Sequence, residues 1–275
     1  MKWQLIKGVA LLSLAWGLVA GTVVPATANT LDKIKERGKL VVGVKSDYKP
    51  WGFIDAAGNL AGMEIDMAHD VAQRLGVKLE LIPVQTANRI EFLQQGKIDL
   101  IIATMSDNPK RRETVGIIEP LYYAGGTNAL LRKGAGISSW EGVRGKKLCG
   151  TQGAYYNKRV AELYGAEIIA FAGNPEAMNA LLGGNCIGFV QDSTFIGSTL
   201  ASGDAKWADF EMTLPTEDEQ GWGIAVPLAE LNGPYGDFMR KVVTDWHRSS
   251  KLIDIERKWG IKPSPFLQTM NKMYR

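Results

Sequence analysis

Short apolar runs and amphipathic helical stretches alternate along this chain in two separate series. That alternation limits the possible folds more than any other feature. In the first series, residues 40–44 (Leu-Val-Val-Gly-Val) read as a buried strand, and Gly62 opens a helix. Met63, Met67, Val71 and Leu75 recur there at four-residue spacing, which places them on one buried face, and Gly76 suits the position after its end. Residues 77–81 alternate as a strand, 88–95 form a short helix ended by Gly96, and 98–103 form a second buried strand. Asn108-Pro109 starts another helix, since proline suits a first helical turn. The second series reads strand 147–150, helix 154–164, strand 167–171, helix 175–182, strand 187–190 and helix 193–200. Such alternation predicts parallel α/β architecture. Extended segments 126–132 and 221–226 flank the second series and are expected to be crossovers from the first. From Leu228 the chain reads as helical and rich in Trp and Lys, packing back on the first unit. The expectation is an α/β protein of two lobes, 29–131 with 222–275 and 132–221.

Residues 1–28 read as an export signal rather than as part of either lobe. Lys2 and Lys7 precede a nearly unbroken apolar run over 8–24, and Ala26-Thr27-Ala28 supplies the small-x-small pattern of a cleavage site. The run is short for a spanning helix, which needs about 20 residues. Both cysteines, Cys149 and Cys186, lie far downstream, so no lipidated cysteine is expected, and a freely diffusing periplasmic protein is. The remaining 247 residues (275 less 28) can bury one large core or two modest ones. Removing Lys2 and Lys7 lowers the formal charge from +3 to +1, and no basic run carries interleaved aromatics, so no nucleic-acid partner is expected.

An oxidising compartment invites a disulfide. Cys149 falls near the end of one expected strand and Cys186 at the start of another. As parallel neighbours they would be offset by about four residues, roughly 13 Å. A bridge needs Cα atoms within about 7 Å. The offset argues against the bridge, and the pairing stays open at this point.

Gly62-Met63-Glu64-Ile65-Asp66-Met67, followed by Val71-Ala72 and Leu75, resembles the signature of the periplasmic solute-binding proteins of polar amino-acid uptake systems. Met63 stands where Phe, Tyr, Ile or Leu is usual. The resemblance runs from about Leu31 to about Ile261. It implies a Venus-flytrap fold of two lobes closing by a hinge motion over an L-amino acid, and a monomer that delivers its ligand to an ABC importer permease without any cofactor.

The resemblance also assigns residues. Arg111 ends the segment 103–111 that grips the α-carboxylate, with Ser106 five residues before it and Thr104 adding a hydroxyl or backbone N–H. A guanidinium suits a carboxylate because two parallel N–H groups match its two oxygens. Thr151 opens the second-lobe turn, where Ala154-Tyr155 replaces the usual threonine pair, and Asp192 matches the partner of the α-ammonium. Asp192 is equally suited to capping the helix after it. Tyr48 matches a position that packs on the ligand, Trp51 reads as lobe packing, and Asn174 is a weaker polar candidate. Lys45 and Arg89 are expected to set specificity. Lys45, Arg89 and Arg111 against Asp192 leave a formal +2, so glutamate or aspartate is the expected ligand.

The rival is an enzyme on the same scaffold, resembling cyclohexadienyl dehydratases that act on prephenate or arogenate. Elimination needs a placed general acid. Glu176 and Tyr155 are the available donors, and neither stands in a recognisable motif. His69 and His247 fall on helical segments, and no spacing of His, Cys or Asp resembles a metal site.

Overall fold

The computed structural model describes residues 29–275; the export signal expected over 1–28 lies outside the described residues. Helix α1 (Thr30–Arg37) leads into β1 (Lys39–Val44), and a small antiparallel sheet follows: β2 (Asp47–Tyr48), β3 (Gly52–Ile54) and β4 (Leu60–Ala61). Next come α2 (Met63–Leu75), β5 (Lys78–Pro83), α3 (Arg89–Gln94), β6 (Leu100–Ile102), the single turn α4 (Pro109–Arg112) and β7 (Val115–Ile117). The chain then enters β8 (Tyr123–Arg132), β9 (Lys147–Thr151), α5 (Tyr155–Tyr164), β10 (Glu167–Phe171) and α6 (Asn174–Leu182). It continues through β11 (Gly188–Asp192), α7 (Ser193–Ala201), β12 (Phe210–Glu211) and β13 (Glu217–Trp222). It returns through β14 (Ala225–Pro227) to α8 (Pro234–Arg248), α9 (Lys251–Lys258) and α10 (Pro265–Tyr274).

Two sheets result. The first has the order β5-β1-β6-β14-β7, and the second β10-β9-β11-β8-β12 with β13 also on β8. In the first, β1 runs parallel between β5 and β6, which explains its unbroken apolar run: Leu40, Val41, Val42 and Val44 are all buried. In the second, β9 is parallel to both β10 and β11, while β8 is antiparallel to β11. The expected two-lobed α/β architecture is the one observed.

On α2, Met63, Met67 and Val71 are buried, and Gly76 takes the left-handed conformation after the last turn, donating to the Ala72 carbonyl. Gly62 precedes this helix with φ +131, and a Cβ there would lie 2.3 Å from the Trp51 carbonyl oxygen. Only glycine fits. The C-terminal helices do pack on α2 of lobe one. Trp246 donates to Asp70 at 2.6 Å, and Trp259 to Asp66 at 2.8 Å.

Two expectations need correction. Segment 126–132 is not a bridge between lobes, because β8 is paired with β11 and β13 and belongs to the second sheet. The first crossing therefore falls between Ile117 and Tyr123, ahead of the expected division at 131/132, while the return falls between Trp222 and Ala225. The cysteines are the second case. Cys149 and Cys186 form a disulfide, with Cα atoms 5.6 Å apart. The offset argument extended the strand through Cys186. In fact β11 begins only at Gly188, and the bend after α6 carries Cys186 back over β9.

Candidate functional site

The sheets present strand ends and the loops after them to a shared cleft. Tyr48, Thr86, Arg89, Thr104, Ser106 and Arg111 line it from the first lobe, and Ala154, Tyr155, Tyr156, Gln191 and Asp192 from the second. The cavity they enclose is only about 20 Å³, room for about one water molecule, so the two sets of residues meet closely across the cleft.

Arg111 is positioned by the short α4, whose cap Asn108 accepts the Arg111 backbone N–H at 3.1 Å. Its guanidinium donates to the Ser106 carbonyl at 2.7 Å and, across the cleft, to the Gly153 carbonyl at 3.3 Å. Arg89, the first residue of α3, is buried; one guanidinium nitrogen donates to the Ala103 carbonyl, while Nε is buried with no partner. Burial lowers the pKa of both arginines, and the Arg89 charge lowers that of Arg111 further. Two guanidinium groups on one cavity lining favour an anion between them. Arg112, by contrast, turns outward to Asp107 and Glu119.

Asp192 ends β11 at the cap position of α7, yet its side chain bonds no backbone N–H of that helix. It accepts the Tyr48 hydroxyl at 2.5 Å, and its Oδ1 is buried without a partner. Burial raises its pKa to about 6, against the opposing pull of the Tyr48 hydrogen bond, Arg111 and Arg89. A buried carboxylate oxygen lacking a donor is costly, and a ligand ammonium is the chemistry that would satisfy it.

Six of the eight expected residues thus meet in one cavity: Tyr48, Arg89, Thr104, Ser106, Arg111 and Asp192. Lys45 and Thr151 lie behind the lining instead. Lys45 is fully buried, its Nζ 2.8 Å from Asp47 and 3.4 Å from the Thr86 hydroxyl. Thr151 donates to Asn174 at 3.0 Å. Asn174 is a bridge between lobes rather than a lining group, donating its backbone N–H and its side-chain amide to Asp47, each at 3.0 Å.

The charge count changes accordingly. Asp47 neutralises Lys45, and Glu64, fully buried on α2, lies close enough for Arg89 and Lys45 to pull down its pKa. Lys45, Arg89 and Arg111 therefore stand against Asp47, Glu64 and Asp192, and the expected +2 becomes a formal balance. Asp47 was missed because a loop acid two residues from a lysine carries no spacing signal. Glu64 was read only as part of a helix-opening signature. Tyr156 and Gln191 line the cavity and are joined by a hydrogen bond from the Tyr156 hydroxyl. Nothing in their local pattern marks them beyond adjacency to Tyr155 and Asp192.

Neither candidate general acid is a free donor on the lining. Glu176 is exposed and off the lining, and the Tyr155 hydroxyl donates to the Asp218 carbonyl at 3.2 Å. Among the described residues no group of three or more His, Cys, Asp or Glu can hold a metal ion, and no helix is long and apolar enough to cross a membrane.

Comparison with known proteins gives a consistent family and varied ligands. The sequence profile of the bacterial extracellular solute-binding proteins, family 3, matches residues 40–262. The chain is similar to the ABC transporter glutamine-binding protein GlnH of Bacillus subtilis, at 27% identity over 86% of each chain. It is also similar to the glutamate/aspartate import solute-binding protein of Salmonella typhimurium, at 24% identity over 92% of this chain and 88% of that one. Among solved structures, a mutant of ArgBP from T. maritima superposes with a TM-score of 0.78 at 26% identity, covering 85% of this chain and all of that one.

Proposed function

This chain belongs to the bacterial extracellular solute-binding proteins of family 3, and from that premise we propose that it captures one L-amino acid between its lobes for an ABC importer. The observation that carries the reading is that two residues lining one small cavity, Arg89 and Asp192, each keep a buried polar atom without a partner, with Arg111 on the same lining. Arg111 receives the α-carboxylate together with Thr104 and Ser106, and Asp192 receives the α-ammonium. Tyr48 packs on the ligand. Arg89 addresses the side chain, and its spare donor suits a carboxylate or an amide carbonyl. Glutamate and aspartate come first, with glutamine and asparagine behind them. That order now rests on Arg89 alone, because Lys45 is paired with Asp47.

Closure follows from contacts that exist only when the lobes meet. Tyr48 to Asp192, Arg111 to Gly153 and Asp47 to Asn174 all cross the cleft. A ligand gripped from both sides adds to them and shifts the population toward the closed form. The protein works as a monomer in the periplasm, delivering its ligand to a membrane permease.

The test is thermal unfolding of ligand-free mature protein with each common L-amino acid and with prephenate. A ligand at about 100 times its dissociation constant stabilises by roughly 2.7 kcal/mol. At this size the melting temperature rises on the order of 5–10 °C. A shift with glutamate and aspartate supports the acidic pocket. A shift with prephenate and no amino acid overturns the transport reading. Arg111→Ala should abolish all binding, whereas Arg89→Ala should chiefly erode discrimination between acidic ligands and their amides. Equal loss for every ligand in both variants rules out that division of roles.

A further inference from the structure

Asp47 and Tyr48 are adjacent on β2, and each meets a different element of the second lobe. Tyr48 donates its hydroxyl to Asp192, at the end of β11, at 2.5 Å. Asp47 accepts from Asn174, the first residue of α6, at 3.0 Å. One buried side chain of the second lobe joins those two partners. Gln191 precedes Asp192, is 2% exposed and lines the cavity. Its Oε1 accepts the Tyr156 hydroxyl, the Asp192 backbone N–H at 2.9 Å and, more distantly, the Tyr48 hydroxyl at 3.4 Å. Its Nε2 donates to Asn174 Oδ1 at 2.7 Å. These bonds fix the orientation of two amides in turn. An amide has one accepting and one donating end, so the donors on Oε1 leave Nε2 turned to Asn174. Asn174 Oδ1 takes that donor and the Thr151 hydroxyl, which leaves Asn174 Nδ2 for the Asp47 carbonyl of the first lobe. A satisfied buried network of this kind holds one geometry, because a reversed amide would bury unpaired groups.

We propose that Gln191 is a positioning residue for ligand capture, holding Asp192 and Asn174 in register so that the ammonium grip and the bridge between lobes form together. This rests on the amino-acid reading above. The first lobe presents the consecutive pair Asp47 and Tyr48, and the second presents Asn174 and Asp192, which are distant in sequence and joined through Gln191. Tyr48 occupies Asp192 Oδ2, so Oδ1 is the oxygen left for the ligand ammonium. A ligand that draws the first lobe onto Asp192 thereby brings Asp47 onto Asn174. Loss of the Gln191 amide uncouples the two contacts.

Titration calorimetry with L-glutamate and with L-glutamine tests this on the mature wild-type chain, Gln191→Met, Asn174→Ala and the double variant. Gln191→Met keeps the side-chain length and removes its hydrogen bonds, and it should weaken binding about tenfold or more. Asn174→Ala should cost the wild type roughly two- to tenfold. In the Gln191→Met background it should cost less than about twofold, because the bridge it removes is already lost. A side chain that merely supports the second lobe would lower the melting temperature and leave the two losses independent. The same cost of Asn174→Ala in both backgrounds, or wild-type affinity in Gln191→Met, overturns the role of Gln191 and leaves the amino-acid reading standing. Should Gln191→Met fail to fold, Gln191→Glu takes its place in the cycle: it keeps the accepting oxygen, lacks the donor to Asn174 and should show the same coupling. Binding of neither amino acid by the wild type removes the reading on which the proposal rests, and the proposal with it.

Discussion

Asn174 of the second lobe donates both its backbone N–H and its side-chain amide to Asp47 of the first, each at 3.0 Å. The same side chain accepts from Thr151 at 3.0 Å and from Gln191 at 2.7 Å, so it ties the closing contact to the second sheet. Asn174→Ala removes the amide's bond to the Asp47 backbone carbonyl and should weaken ligand binding roughly two- to tenfold, since a neutral hydrogen bond contributes about 0.5–1.5 kcal/mol. Small-angle scattering of the ligand-free variant should give a larger radius of gyration than the wild type. Unchanged affinity and an unchanged radius would mean that this bridge does not set the closed population.

Lys45 is expected to matter for stability rather than for ligand choice. Its ammonium lies 2.8 Å from Asp47, and neither side chain is more than slightly exposed. Lys45→Met strands a buried carboxylate, a change that costs about 3–5 kcal/mol when a buried pair is broken. Denaturant melts should show the loss, and Lys45→Met with Asp47→Asn should recover part of it. A melt like the wild type together with an altered glutamate-to-glutamine affinity ratio would return Lys45 to the ligand.

Asp192 gives a pH dependence of defined sign. Its folded pKa is about 6, above the unfolded value near 4. Its contribution to stability is therefore fully present below pH 4 and lost as pH rises through 6. Melting of ligand-free protein between pH 4 and 8 should show this downward component, and Asp192→Asn should remove it. Ligand binding has the opposite slope, because the α-ammonium needs the ionised carboxylate: affinity should drop as pH falls below 6. Glu64, whose pKa burial also raises to about 7, adds a downward component of its own, so Asp192→Asn should shrink the slope rather than abolish it, and an unchanged slope would assign it to other groups.

Gly153 of the second lobe meets the first with φ +77 and a hypothetical Cβ only 2.9 Å from Ala87 Cα. Gly153→Ala should block closure while costing the second lobe only about 1 kcal/mol of backbone strain. Calorimetry should then show binding lost or greatly weakened in a protein that still unfolds cooperatively. Binding at wild-type strength would show that the lobes settle further apart than 2.9 Å implies.

The sequence carried the fold because its evidence is local and repeated. The apolar run of β1, the spacing on α2 and the glycine after it each report burial or backbone conformation within a few residues. Arg111 and Asp192 were legible through the family resemblance, on segments placed by that same alternation. What stayed hidden depends on contacts distant in sequence. Lys45 is paired with Asp47, which is itself bonded twice by Asn174 of the other lobe, and Glu64 is held by Thr104 and Tyr122 from two further segments. The disulfide stayed open in the sequence for a similar reason: a bend of a few residues before β11 moves Cys186 by more than strand arithmetic allows.

Trp222 ends β13 just before the return crossing, its ring 6.1 Å from Tyr48, 5.6 Å from Trp51 and 5.3 Å from Tyr123, and its indole N–H is buried with no partner. Tyr48 in turn packs on Phe195 of the second lobe at 4.6 Å. Opening the cleft pulls Tyr48 and Phe195 apart and changes the polarity around that indole. The protein therefore carries its own dye: tryptophan emission tracks the cleft without any label, and Trp222→Phe identifies which of the six tryptophans after residue 28 is responsible.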